Sequence, residues 1–218
     1  MGSIDPKLWG APAWLLLHDI SFYIAEKDTN NDKMKSAKEF FMLLRHVLPC
    51  ERCQVSYDMH LLYLPFPKKA KDLPKWVFDL HNRVNDTRAS SQRYSREDRP
   101  IWNQWQKTYE MERKQHTLVT IWPFIQSIIT VYPREKGYEQ TIYIESVKRF
   151  FKLLFVFLQE MEGYTENMLP VKDIFTQKNI EKNIGSREDF QHFITNIGRT
   201  IHAETKNISS KCDQHCKV

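Results

Sequence analysis

Apolar residues recur along most of this chain at the three-to-four-residue spacing of a helix face. Trp9-Gly10-Ala11-Pro12 opens a predicted helix from about Ala13 to Glu26, in which Trp14, Leu17, His18, Ser21 and Phe22 or Tyr23 fall on related faces. Met34, Ala37, Phe40, Phe41, Leu44 and Val47 carry a second helix, over Lys33 to Leu48. A third starts at the Cys50/Cys53 pair, runs through Tyr57 and His60 to about Tyr63, and is broken by Pro65 and Pro67. Asp72-Leu73-Pro74-Lys75 caps a helix from Trp76 to about Val84. The polar stretch from Asp86 to Asp98 predicts a loop, and after Arg99-Pro100 a helix carrying Trp102, Trp105 and Tyr109 extends toward His116. Trp122 to Tyr132, Tyr143 to Met161 and Phe190 to His202 predict three more, and Asn207 to Val218 reads as a polar, mobile tail.

Composition sharpens this pattern toward one class. With 6 glycines and 13% aromatic residues in 218, the chain has too few turn residues for a β protein and suits packed helices. A net charge of +5 is spread over 32 basic and 27 acidic residues, which fits a solvated surface better than a nucleic-acid site. No apolar run is long enough to cross a bilayer, the longest, around Phe150 to Leu158, being interrupted by Lys152. The start of the chain lacks a signal-peptide pattern, and Pro6 stands where an acylation motif wants Ser or Thr. The expectation is a soluble protein made in the cytosol, without membrane or nucleic-acid partners.

The candidate chemistry lies in the four cysteines, which fall as two pairs, Cys50/Cys53 and Cys212/Cys216. Two thiols on the first turn of a helix can close a small disulfide ring, and the helix N-terminus favours a thiolate there. Trp14 and His18, one turn apart, stand side by side, and a second His-bearing run, His81-Asn82-Arg83-Val84-Asn85, ends the helix that begins at Trp76. The pair at Cys50 can serve redox chemistry. Alternatively, all four cysteines can form a tetrahedral zinc site in a helical interaction module, although the unequal CxxC and CxxxC spacings suit this less and leave the Trp-His and His-Asn runs unused. A thioredoxin-like enzyme lacks its strand–CxxC–helix context here.

Taken in order, Trp9-Gly10, Trp14-x-x-x-His18, Tyr23, Cys50/Cys53 and His81-Asn82-x-Val84-Asn85 resemble the Erv/ALR family of FAD-dependent sulfhydryl oxidases, over about residues 6 to 110. The resemblance implies an all-α fold, a four-helix bundle holding FAD at one end with a short fifth helix across it. It implies that Trp14, His18 and Tyr23 line the cofactor from one helix, that His81, Asn82 and Asn85 reach it from another, and that Trp9, Gly10, Tyr57, Val84, Trp102 and Tyr109 complete its surroundings. Cys50 would exchange with an incoming dithiol, Cys53 would lie against the flavin, Arg52 would favour a thiolate by its charge, and dioxygen would leave as hydrogen peroxide. Arg99-Pro100 stands where the family has Lys-Pro, which gives Arg99 a phosphate contact. The longer loop before it and the absence of a following cysteine are more like members from large DNA viruses.

The resemblance further implies protein dithiols as substrates, with a thioredoxin- or glutaredoxin-like carrier as a candidate partner. The place of action would be the host cytosol or a virion, with the mitochondrial intermembrane space as the alternative. Cys212 and Cys216 become a candidate shuttle pair, against the plainer reading of exposed tail thiols. Residues 1–114 then form the oxidase domain, 115–205 a second helical domain and 206–218 the tail. Trp122 to Tyr132 echoes Trp14 to Tyr23, Phe150-Phe151 echoes Phe40-Phe41, and Glu160 falls where the first half has Cys50. The second domain is thus a candidate degenerate copy, packed as an internal pseudo-dimer partner, with a true homodimer as the other arrangement.

Overall fold

The computed structural model describes residues 4–28, 32–89, 99–133 and 138–215, without the side chains of 88, 89, 138, 139, 167 and 204–215. Ten helices and several 3-10 turns account for the described residues, and no strand occurs among them. They are α1 (Pro6–Lys27), α2 (Asp32–Val47), α3 (Glu51–Tyr63), α4 (Leu73–Ala89), α5 (Trp102–Glu112), α6 (Leu118–Ser127), α7 (Tyr138–Glu160), α8 (Thr165–Met168), α9 (Gln177–Asn183) and α10 (Arg187–His215).

Several boundaries differ from expectation, α6 starting at Leu118 rather than Trp122 and α7 at Tyr138 rather than Tyr143 among them. The first helix starts seven residues early because Asp5 caps it, its side chain accepting the Lys7 N–H at 2.9 Å, and Pro6 supplies a preset first turn. Pro12, read as part of the opening, is inside the helix. α4 continues to Ala89, into the stretch predicted as a loop, and 90–98 lie outside the described residues. α10 runs to His215 rather than ending near His202, so the backbone around Cys212 is helical, while Cys216 lies outside the described residues. The short α8 and α9 were not anticipated; for α9 the signal was Thr176, whose side chain accepts the Asn179 N–H at 3.1 Å.

α1 is the axis of the molecule. It packs against α4 on one side and α6 on another, while α2 packs along α7. Leu16 to Ile24 are consequently buried without a break, which an amphipathic surface helix never is. That enclosure explains how a histidine and an aspartate, His18 and Asp19, come to be inside.

The apolar core is continuous across both halves of the chain. Leu16, Ile20, Phe40, Phe41 and Leu44 meet Ile121, Phe124, Phe150, Phe151 and Leu154 in one cluster. Phe40 stacks on Phe150 with ring centroids 4.7 Å apart, and Trp9 lies 6.1 Å from Phe124. Each such ring contributes about 1.5–3 kcal/mol by burial. Farther out, α10 approaches α6 so closely that a Cβ on Gly198 would stand 2.7 Å from the Trp122 indole nitrogen.

Candidate functional site

Pro49 ends the α2 register, and the chain turns so that Cys50, in extended conformation, becomes the N-cap of α3. Its Sγ accepts the Cys53 N–H at 3.2 Å, and the two Cα atoms are 5.1 Å apart, joined by a disulfide. Gln54 fixes the corner, donating to the Leu48 carbonyl at 2.8 Å and the His46 carbonyl at 3.3 Å. A thiolate released here would sit on the positive end of α3. Cys50, expected on the solvent side, is 5% exposed, and Cys53 is the more open of the two.

α1, α4 and α5 bring together a wall of rings. Trp14, His18 and Phe22 share the α1 face at i, i+4 and i+8. Trp14 stacks on His81 at 4.1 Å, and His18 Nε2 is 3.3 Å from His81 Nδ1, one ring donating and the other accepting. From α5, Trp105 lies 4.6 Å from His18 and stacks on Tyr109 at 4.7 Å, and Tyr109 stacks on Phe22 at 5.5 Å. Phe78 of α4 closes on Trp102 and Trp105 at 5.2 and 5.0 Å. Beside them a cleft of about 550 Å³ opens between Phe22, Trp76 and Trp102, with Lys71 and Lys75 on its rim.

Burial depresses the His18 pKa well below the ordinary imidazole value, with His81 and His116 adding like-charge repulsion. His18 is therefore neutral at physiological pH, and its buried Nδ1 has no hydrogen-bond partner among the described residues. A buried polar atom left open among aromatic walls is what a flat heteroaromatic ligand with hydrogen-bonding edges would satisfy. The donor set thus fits FAD.

The remaining expected residues divide. Asn82 and Val84 are half-buried and Asn85 exposed on the same helix as His81. Arg99 is exposed and ion-paired with Asp86. Tyr23 belongs elsewhere: its hydroxyl donates to Glu160 of α7, beside Lys33, on a different side of α1 from His18. Trp9 likewise faces α6, and Tyr57 is buried with its hydroxyl donating to the Phe41 carbonyl at 2.8 Å. Nothing stands within 4 Å of where a Cβ on Gly10 would be, so no close approach requires glycine there.

Two features were missed. Phe22, Phe78 and Trp105 belong to the ring wall, and the i+4 step from His18 pointed to the first of them. Asp19 is a buried acceptor for three donors, the Tyr109 hydroxyl at 2.7 Å, the Tyr164 hydroxyl at 2.6 Å and His116 Nδ1 at 2.9 Å. No local pattern announces that cluster, because its donors lie 90 to 145 residues from Asp19.

As for the four-cysteine zinc site, a disulfide offers no thiolates, and no group of three or more metal-ligating side chains occurs among the described residues. The Cys212 side chain and Cys216 lie outside that set. No helix among the described residues is long and apolar enough to cross a membrane.

A probable FAD-linked sulfhydryl oxidase of Acanthamoeba polyphaga mimivirus is 33% identical over 86 residues, 38% of this chain and 59% of that relative, so the chain spans well under two thirds of the relative's length. No solved structure matches the chain. The model of the Erv1 / Alr family matches residues 11–109, a segment that holds both the cysteine pair and the ring wall.

Proposed function

We propose that the chain is an FAD-dependent thiol oxidase that forms disulfides in protein substrates through Cys50 and Cys53. The observation that carries this reading is the disulfide at the capped N-terminus of α3 in a segment matching the Erv1 / Alr family, in the same bundle as a ring wall with an open buried nitrogen. A substrate thiolate attacks one sulfur of the pair, forming a mixed disulfide and releasing the other as a thiolate. The second substrate thiolate then closes the substrate's own disulfide, leaving both cysteines reduced and holding the electron pair. The chemistry FAD supplies when bound is acceptance of those two electrons and their delivery to dioxygen, giving hydrogen peroxide.

The chain's own residues prepare that transfer. Trp14, His81, Trp105, Tyr109 and Trp102 offer stacking surfaces that exclude water, and neutral His18 holds a nitrogen ready for a polar edge. Asn82, Asn85 and Arg99 complete the proposed set from α4 and the segment before α5. Which cysteine meets the substrate is decided by which one forms the mixed disulfide when its neighbour is Ser. The resemblance assigns Cys50, and the exposures run the other way.

The second half is proposed as a degenerate copy serving as an internal partner. In support, α6 and α7 pack on α1 and α2, and the matched residues Phe40 and Phe150 stack on each other, as related positions do at a two-fold axis. Glu160, at the place corresponding to Cys50, instead holds Tyr23 and Lys33. Cys212 and Cys216 are proposed as a shuttle, a thioredoxin- or glutaredoxin-like carrier as partner, and host cytosol or virion as the place of action. An absorption spectrum of the purified protein tests the central reading. Flavin bands that bleach on adding a dithiol without air and return with air are expected; a colourless protein with stoichiometric zinc overturns it.

A further inference from the structure

α3 is inside out. Its buried residues are Tyr57 and His60, while Val55, Met59, Leu62 and Tyr63 are 67, 50, 75 and 66% exposed. The polar side chains turned inward are satisfied there, Tyr57 by the Phe41 carbonyl at 2.8 Å and His60 by Ser56 at 3.2 Å. The four exposed apolar ones lie at i, i+4, i+7 and i+8, a single stripe about 12 Å long at 1.5 Å per residue. It begins two residues beyond Cys53, on the helix that Cys50 caps, and the Arg83 guanidinium lies 4.7 Å above the Tyr63 ring at its far end. Other exposed large apolar residues, such as Leu8, Met111, Ile142 and Leu169, are scattered over other helices, which is ordinary for a protein surface.

Four side chains on one helix cover far less than the roughly 800 Å² per partner of a stable dimer, so a second copy is a poor occupant. A stripe that mixes a flexible methionine with a ring and two aliphatic chains suits a transient partner of variable sequence. We propose that this stripe is the docking surface for reduced substrate, and that it takes an unfolded polypeptide segment carrying apolar residues next to its thiol. The inference rests on the thiol-oxidase reading and adds the substrate class. Before its disulfide forms, a chain exposes the apolar residues that its fold later buries; while exposed they lie on α3 and bring the thiol to the pair at its N-terminus. Once oxidised and folded, the product has nothing to offer the stripe and leaves.

The full chain carrying Met59→Ser and Leu62→Ser, and a second variant with Val55→Ser and Leu62→Ser, test this. Both pairs are exposed, and circular dichroism checks that the helices persist. With reduced, unfolded pancreatic ribonuclease as substrate, KM should rise about ten-fold with kcat unchanged, while kcat/KM for dithiothreitol stays at the wild-type value. Equal losses on both substrates, or none on ribonuclease, overturn the docking surface. So does a wild-type dimer that the substitutions turn into monomer, by sedimentation, without any change in KM for ribonuclease. A wild-type protein inert toward dithiothreitol instead sinks the oxidase reading itself.

Discussion

Replacing Asp19 by Asn asks whether one buried carboxylate ties the two halves of the chain together. The side chain keeps its shape, but its three donors come from α5, the turn after it and the turn after α7, at 2.7, 2.9 and 2.6 Å. An amide presents one oxygen in place of two and brings an N–H₂ toward groups that also donate. Hydrogen bonds to a charged partner are worth about 1.5–3 kcal/mol each, and breaking a buried charged cluster from one side costs about 3–5 kcal/mol. With one bond retained, the expected loss is about 3 kcal/mol, which for a chain of this size lowers Tm by about 6–12 °C. Tyr164→Phe removes one hydroxyl and should cost about half as much, and the double variant should lose about 1 kcal/mol less than the sum. Thermal unfolding followed by circular dichroism reads all three. An Asp19→Asn protein melting within about 2 °C of wild type, or strict additivity with Tyr164→Phe, would refute the idea that this carboxylate couples Tyr164 to the α5 ring wall.

Cys50→Ser and Cys53→Ser should each abolish dithiol-dependent oxygen uptake in an oxygen electrode, since either change removes the disulfide that accepts the electrons. His18 stays neutral in the native state, so below about pH 6.5 the unfolded chain binds the extra proton and stability falls as pH drops, by at most about 1.4 kcal/mol per unit from this residue. Urea midpoints between pH 5 and 8 should therefore show a weaker acid loss in His18→Asn than in wild type. Gly198→Ala gains helix propensity of about 1 kcal/mol, but its Cβ meets the buried Trp122 indole at 2.7 Å, an overpacking of about 1–3 kcal/mol. A lower urea midpoint is expected; an unchanged or higher one would show that α6 and α10 can separate freely. Deleting Cys212 to Val218 should slow oxidation of reduced ribonuclease more than that of dithiothreitol, and equal rates would remove the shuttle.

The sequence by itself determined what depends on near neighbours. Helical periodicity placed the cysteine pair at the start of α3 and set Trp14 beside His18, because a residue's neighbours at i+3 and i+4 follow from helix geometry alone. The same information left Phe22 and Tyr23 as equal companions of His18, and read Asp19 as one more polar residue. Tertiary structure separated them: α5 covers the Phe22 side of α1, whereas α7 delivers Glu160 to Tyr23 from 137 residues away. Asp19 was satisfied only when α5 and the corner at Tyr164 closed over it. The apolar stripe of α3 was likewise hidden in its sequence, since Val55, Met59 and Leu62 have the spacing of a core face. Periodicity tells which residues share a face of a helix; which face is turned to the core is settled by what the other helices bring to it.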